Sequence, residues 1–442
     1  MTHTEALAAR FSALEYEDLP PSVVQKLEAC LLYGLTMSAT APAQPILDAA
    51  VLAVCQTPGN ALLLVDGQRR NAADAAYANA FRMCARGQND TFQDIYAHPG
   101  CIVIPVVLAL GQERGISGRE MFSAMAAGYE ALACVAAGYA SAVVQRRFRA
   151  TSVFGVIAAT AAAARVLRLD ADHTAHALAL ATQQAAGTMQ CWTEGSPEWR
   201  LQVATASRAG IVCATLAAHG YTAARQSLEG DSGLYRTFAG MAPRDATPLS
   251  WQTPTVIFKP LPGCLINQAP LYMLLALRRQ HGLDAAQVDH VDVVLSSKNE
   301  AYPGINRHGP FETPTGAIMS CPFMLAVGLR DGTLRMSDFD LRYAEDDIHA
   351  LSQSIRVYAD DQLPDWGATV SVHLKDGRTV QDTMTDPSRF SFTWDETDTL
   401  LATMAAQWPW PDGADRHARL RAAVSALDTS RHLDDLLNIL VA

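Results

Sequence analysis

A few short polar clusters interrupt the otherwise apolar, helix-like texture of this chain, and a buried site would show itself as such interruptions. The first is Asn89-Asp90-Thr91 followed by Tyr96-Ala97-His98-Pro99-Gly100, which runs straight into the apolar stretch Ile102 to Leu110. From there Asp90, Thr91 and His98 can face a ligand at the N-terminal end of a helix, where free backbone N–H groups favour a carboxylate. Simple capping by Asp90 with a surface His98 explains this cluster equally well when it stands alone. The second cluster, Arg146 to Ser152, places guanidinium groups just before the apolar run from Val153. Arginine offers the planar fork that grips a carboxylate, although a solvated helix end accounts for any one of these arginines. The third, Glu198-Trp199-Arg200-Leu201-Gln202, sets Arg and Gln beside an aromatic at the start of an Ala-rich helix and, taken singly, suits a surface better. The fourth is Lys259-Pro260-Leu261-Pro262-Gly263-Cys264 with Asn267-Gln268. Packing alone explains poorly a lysine at a strand end fixed by two prolines.

Together these groups suit proton transfer at a carbon next to a carboxylate, which needs a base and cationic or hydrogen-bonding partners for the enolate-like charge that develops. The candidate proton carriers are His98, Lys259, Cys264, Tyr302 and His308, the last two in a punctuated polar loop from Tyr302 to Phe311. Arg149, Arg200 and Gln268 are candidate carboxylate clamps, and Asp90, Thr91, Trp199, Gln202 and Asn306 complete the expected substrate-binding set. No cofactor and no metal are expected. There is no GxGxxG after a strand and no GxxxxGK[ST] loop. His173 and His176 have no third ligand at a suitable spacing and read as a helix end. Gly230-Asp231-Ser232-Gly233 imitates a serine-hydrolase string but lacks the elbow around it, so a turn is expected there.

The elements that must position these residues follow from pattern. At 442 residues the chain exceeds one ordinary core, and 49% hydrophobic against 18% charged residues gives ample surface to bury. Up to about Gly240 nearly every segment has helical spacing, with a capping box at Ser117 and Glu120 and a cap at Asn71. After Pro243 short β-branched runs arise at Thr253 to Phe258, at Val288 to Leu295, and as a hairpin, Thr369 to Leu374 and Thr379 to Thr383, across Asp376-Gly377. Helices are expected at Gln268 to Gln280, at Ser320 to Arg330 and again from Asp395. The expected architecture is therefore mainly α with a second α+β domain: a large helical domain built from both chain ends (1–258 and 395–442) with a smaller α+β domain (259–394) inserted.

Composition also limits partners. With 34 basic and 45 acidic residues, a net charge of -11 and no basic run, nucleic acid is not an expected partner. The nine scattered cysteines form no CxxC pair and read as reduced core thiols. The N-terminus lacks an apolar core, and no later segment gives an uninterrupted apolar span, so a cytoplasmic protein without a membrane partner is expected.

In order and spacing, the clusters resemble the MmgE/PrpD family, which includes 2-methylcitrate dehydratase, cis-aconitate decarboxylase and iminodisuccinate epimerase. The marks are Asp90-Thr91 with His98-Pro99-Gly100, Ser152-Val153-Phe154-Gly155, Arg200-Leu201 with Gly210, Leu228-Glu229-Gly230 to Phe238, Lys259-Pro260 with Cys264, and Ser320 leading to Asp331-Gly332. The resemblance implies a homodimer, an active site between the domains and a small polycarboxylate substrate. It also exposes departures: the family's catalytic His falls on Arg149, its active-site Lys on Trp199, two further His on Gln202 and Gln268, and an upstream acidic residue on Gly87. A dehydratase or decarboxylase is expected to keep those groups, so the pattern favours an epimerase of the iminodisuccinate type, with a lyase on a citrate- or aconitate-like acid as the alternative and a catalytically inactive metabolite-binding homologue as a third possibility. If turnover needs no metal, dialysis against a strong chelator leaves activity intact; loss of activity that one metal restores overturns that expectation.

Overall fold

The computed structural model describes residues 1–244 and 248–441. Its helical part is organised around the helix Ala150–Val166, every residue of which is buried. Gly118–Ala136 packs on one side of it and Trp199–Ala218 on another. Small side chains permit this closeness: a Cβ on Gly210 would lie 2.4 Å from that of Ala159. The expected caps form, with Ser117 and Glu120 closing a capping box and the Asn71 side chain accepting from the Asp74 N–H. Trp199–Ala218 is by length and composition apolar enough to cross a membrane, which the uninterrupted-run criterion missed, but it lies against Ala72–Met83 and Ala150–Val166. His173 pairs with its own helix cap, Asp170, at 2.8 Å, and Gly230 to Gly233 form hydrogen-bonded turns.

Both chain ends build this body. The helices Trp394–Ala402 and Gly413–Ser425 pack on Pro21–Ala39. Further along, the Val65 N–H donates to the Leu440 carbonyl at 2.9 Å and the Gly118 N–H to the Ser430 carbonyl at 2.9 Å. Two tiny strands interrupt the helical texture, β1 (Ala61–Leu62) and β2 (Arg69–Arg70), too short for any period to show in sequence.

The α+β part carries a four-stranded sheet of β3 (Val288–Leu295), β4 (Ile355–Ala359), β5 (Ala368–Leu374) and β6 (Thr379–Met384), in the order β4-β3-β5-β6. β3 and β4 are parallel and the other pairs antiparallel. The hairpin turns at Asp376-Gly377, where Gly377 has φ +90°. β4 was not expected from sequence, its five residues being too few to distinguish from a loop. Helices occur at Gln268–His281 and at Cys321–Asp331, the latter capped by Ser320.

One expected strand is corrected. Thr253–Thr255 is a single 3-10 turn, and the extended residues after it join no sheet. Pro254 has no N–H to give a ladder. What remains is one antiparallel bridge, in which Thr91 and Ile257 exchange both backbone hydrogen bonds at 2.9 and 3.0 Å. That bridge brings the first polar cluster beside the fourth.

The docking of the last segment can be tested at Gly118. A Cβ there would lie 1.7 Å from the Leu427 carbonyl oxygen, so one side must move. Gly118→Ala is expected to cost about 1–3 kcal/mol by overpacking, read as a lower urea midpoint; an unchanged midpoint would show that the chain end does not close on this helix.

Candidate active site

Lys259 leaves the Thr91–Ile257 bridge and is held from several sides. Its carbonyl accepts from the Tyr33 hydroxyl at 2.9 Å and from Gln88 Nε2 at 3.0 Å, while its Nζ donates to the Gly87 carbonyl at 2.6 Å. The residue is only 2% exposed. Burial lowers its pKa to about 8, helped by the nearby Arg149 charge and opposed by Asp90 and the thiols of Cys264 and Cys101. Gln268 shapes the loop that follows: its Oε1 accepts from the Leu261 N–H at 3.1 Å, and its Nε2 donates to the carbonyls of Leu261 and Cys264, both at 3.1 Å. These bonds consume the amide, so Gln268 sets the position of Cys264 and does not reach the cleft.

His98 stands across from Lys259. Thr91 Oγ1 lies 3.0 Å from the Asn89 carbonyl, to which it donates, and 2.9 Å from His98 Nδ1. A hydroxyl has one proton, so the ring must be the donor in the second bond, leaving the Nε2 lone pair free. Burial pushes the imidazole pKa well below its usual 6.5, and the charges of Lys259 and Arg149 push it further. The ring is thereby held neutral. The Asp90 backbone also hydrogen-bonds the ring, whereas its carboxylate points elsewhere, accepting from the Gly100 N–H at 2.9 Å and from the Tyr129 hydroxyl at 2.6 Å. The capping half of the alternative explanation therefore holds, while His98 lines a cleft and not the outer surface. Burial lifts the Asp90 pKa to about 6 despite those two donors.

Arg149 supplies the other cation. It occupies the N-cap position of Ala150–Val166, is 4% exposed, and donates from Nη1 to the Trp199 carbonyl at 2.6 Å. The guanidinium lies over two indoles, 5.5 Å from the Trp192 ring centre and 5.7 Å from that of Trp199. Among the described residues no carboxylate comes within salt-bridge distance of Arg149 or Lys259. The buried Nε1 atoms of Trp192 and Trp199 likewise have no hydrogen-bond partner. A site with buried cations and spare donors is complementary to an anion.

The cleft gathers Thr91, His98, Arg149, Trp199, Lys259, Cys264 and Tyr302 from the expected set. The space unfilled by atoms, open solvent at its mouth included, is about 620 Å³. Burial raises the pKa values of Cys264 and Tyr302, so both hold their protons at neutrality. The remaining expected residues lie elsewhere, besides Asp90 and Gln268. Arg200 turns away to Gln44 Oε1 at 2.7 Å and the Ala85 carbonyl, and Gln202 donates to the Thr188 carbonyl at 2.8 Å. One helix carries Trp199, Arg200 and Gln202 at about 100° per residue, so the three cannot share a face. His308 Nδ1 bonds the Ser352 carbonyl at 2.9 Å, and Asn306 bonds Glu300 at 2.8 Å along a neighbouring groove.

Sequence reasoning missed the aromatic walls. Tyr96 and Trp366 both line the cleft with rings 5.0 Å apart, one from each part of the fold. Both have left-handed backbones, φ +54° and φ +71°, a costly conformation for a large side chain that is usually kept where function requires it. The turn string Pro364-Asp365-Trp366-Gly367 was the available signal for Trp366; nothing marked Trp192.

Two family models cover most of the chain: the MmgE/PrpD N-terminal domain matches residues 5–246 and the MmgE/PrpD C-terminal domain residues 262–402. A cis-aconitate decarboxylase-like protein, oryM, of Aspergillus oryzae is 25% identical over 99% of this chain and 97% of its own length. The cis-aconitate decarboxylase of Aspergillus terreus is 25% identical over 85% of this chain and 83% of its own. By these matches, which agree with the architecture and with the order of its polar clusters, the chain belongs to the MmgE/PrpD family.

Proposed function

We propose that this protein moves a proton off and back onto the carbon next to a carboxylate of a small amino- or hydroxy-polycarboxylate, as an isomerase of the iminodisuccinate-epimerase kind. The observation that carries this is the pair of buried cations, Arg149 and Lys259, set without a contacting carboxylate around a histidine held neutral. Arg149 anchors one substrate carboxylate against the Trp192 and Trp199 rings. His98 Nε2 takes the α-proton, and the Lys259 ammonium stabilises the charge that grows on the neighbouring carboxylate. Cys264 and Tyr302, protonated and on the α+β side of the cleft, can return a proton to the opposite face. Epimerisation needs no leaving group, which fits a site where Arg149 stands in place of the catalytic histidine implied by the family pattern.

A lyase acting on an aconitate-like acid is the second reading, favoured by the names of both fungal relatives. The two separate in deuterated water with a panel of di- and tricarboxylates. An isomerase incorporates deuterium at the α-carbon and releases neither carbon dioxide nor water; a lyase releases one of them. Binding without exchange or release would overturn both. On the substrate that reacts, His98→Gln is expected to lower kcat by about 100-fold or more with affinity largely kept. Arg149→Gln should mainly weaken binding, by about 1.5–3 kcal/mol. Full turnover in His98→Gln removes the assigned base.

The pH dependence follows from the same groups. Because the His98 pKa lies well below 6.5, kcat/KM should hold through neutrality and fall only in acid, where the base becomes protonated. On the alkaline side it should fall near pH 8 as Lys259 loses its proton, and Lys259→Arg should move that limb upward. Lys259 also bears on stability. Its folded pKa is depressed from 10.5 to about 8, so the charged lysine disfavours folding fully below pH 8 and ceases to as pH rises past 10.5. Lys259→Met, which loses the Gly87 hydrogen bond, should still stabilise the fold by about 1–2 kcal/mol at pH 7. A lower melting temperature in that variant would refute the cost assigned to the buried charge.

A further inference from the structure

The face of the sheet turned away from the core carries a second cluster of chemically competent side chains. Along β3 the inward positions Val291, Val293 and Leu295 are buried, and the alternation leaves His290 and Asp292 on the outer face. β5 alternates in step: Val370 and Val372 point inward, and Ser371 and His373 outward. His290 and His373 stand directly opposite each other in the antiparallel register, with Asp292 two residues on. The ladder shifts register between Val288 and His290. Such an irregularity re-aims side chains, and here it leaves Asp289 beside the histidine that follows it.

The atoms converge. His290 Nε2 lies 3.7 Å and His373 Nε2 3.3 Å from the same carboxylate oxygen, Asp292 Oδ2. One ligand atom from each of the three residues falls within 4.8 Å of the others. The second oxygen, Asp292 Oδ1, is buried and has no hydrogen-bond partner. Each imidazole also has its other nitrogen held from behind: His290 Nδ1 is 2.8 Å from the Asp289 carboxylate, and His373 Nδ1 is 3.0 Å from the Thr379 hydroxyl. Outer partners of that kind orient histidines that coordinate metals.

From this geometry we infer that His290, Asp292 and His373 form a binding site for a divalent transition-metal ion of the zinc class. Two imidazole nitrogens and one carboxylate oxygen suit zinc better than magnesium or calcium, which take oxygen sets, and water would complete a four-coordinate shell. The rings stack with centres 4.2 Å apart and planes 11° from parallel, so binding requires a small rotation that turns each Nε2 lone pair toward the ion. The ion would tie β5, and the hairpin it begins, to the start of β3. It would not join the chemistry. Leu295 pairs with Ala368 at the strand ends next to the loops carrying Tyr302 and Trp366, and His290 lies five residues back, about 16 Å along the strand. The inference therefore stands apart from the reading of the cleft, and removing the ion should leave turnover intact.

The test uses the full chain stripped with a chelator and titrated with zinc against a chromogenic competitor. One equivalent is expected to bind. His373→Ala and Asp292→Asn should each weaken binding by more than about 100-fold, and Asp289→Ala, which removes only the outer partner, by about 10–100-fold. Saturating zinc should raise the melting temperature of the parent protein and not of His373→Ala. With cobalt in place of zinc, visible bands of low coordination number should be seen without near-ultraviolet thiolate charge transfer, because none of the nine cysteines belongs to the site. Zinc affinity unchanged in both ligand variants, thiolate bands in the cobalt protein, or failure to bind one equivalent would each overturn the inference. Circular dichroism of the variants, whose altered side chains lie on the outer face of the sheet, separates lost binding from lost folding.

Discussion

Two positive charges, Arg149 and Lys259, are held in a largely dehydrated cleft with no carboxylate touching either one. Charge in such surroundings is expensive, and the lysine responds with a pKa near 8. Much of the local architecture serves to prevent these side chains from finding an easier place. Lys259 is fixed by two donors on its own carbonyl oxygen and by the Gly87 carbonyl at its ammonium; Arg149 is fixed by the Trp199 carbonyl and by two indole faces. Asp90, a counter-charge that acts on Lys259 without touching it, is occupied by Tyr129 and the Gly100 N–H. An incoming polyanion, as in the proposed reaction, would supply the partner that these charges lack.

The same positive field acts on His98. A histidine beside an aspartate is commonly driven toward its charged form, whereas here burial and two cations keep the ring neutral and the Thr91 hydroxyl fixes its tautomer. The proposed base and clamp would therefore depend on each other, since removing Arg149 or Lys259 would also alter the basicity of His98. The aromatic walls line the same space, where a lower local dielectric would strengthen each electrostatic contact. Tyr96 and Trp366 meet across the junction between the two parts of the fold at the expense of left-handed backbones. That places some of the strain of the structure at the rim of the cleft.

Much of this was legible before any coordinates. Helical periodicity, the Ser117–Glu120 box, the Asn71 cap and the Asp376-Gly377 hairpin are local signals, and each is realised because nothing nonlocal opposes it. The strand expected at Thr253 to Phe258 shows the limit: its β-branched residues were real, but Pro254 and the absence of a neighbouring strand left a single bridge to Thr91. Polar clusters located six cleft residues, and the Tyr302 to Phe311 loop a seventh, because a charged or hydrogen-bonding group amid apolar helix is costly unless it has work to do. The same logic could not separate Arg149 from Arg200, or Cys264 from Gln268. Those distinctions depend on which way a helix is rotated and on which backbone groups happen to lie within reach.

The sequence by itself determined the class of architecture, the family, and the kinds of chemistry on offer, because these depend on composition, periodicity and the order of motifs along the chain. Tertiary structure decided which of those groups share a space. Residues as far apart as Thr91, Arg149, Lys259 and Trp366 meet in one cleft, and residues as close as Trp199 and Arg200 part company. The cluster of His290, Asp292 and His373 has the same origin, since His373 is more than eighty positions from the other two and joined to them by strand register. The physical reason is that pKa, tautomer and unmet charge are properties of a surrounding in three dimensions, and that surrounding is assembled from segments whose mutual placement no local pattern records.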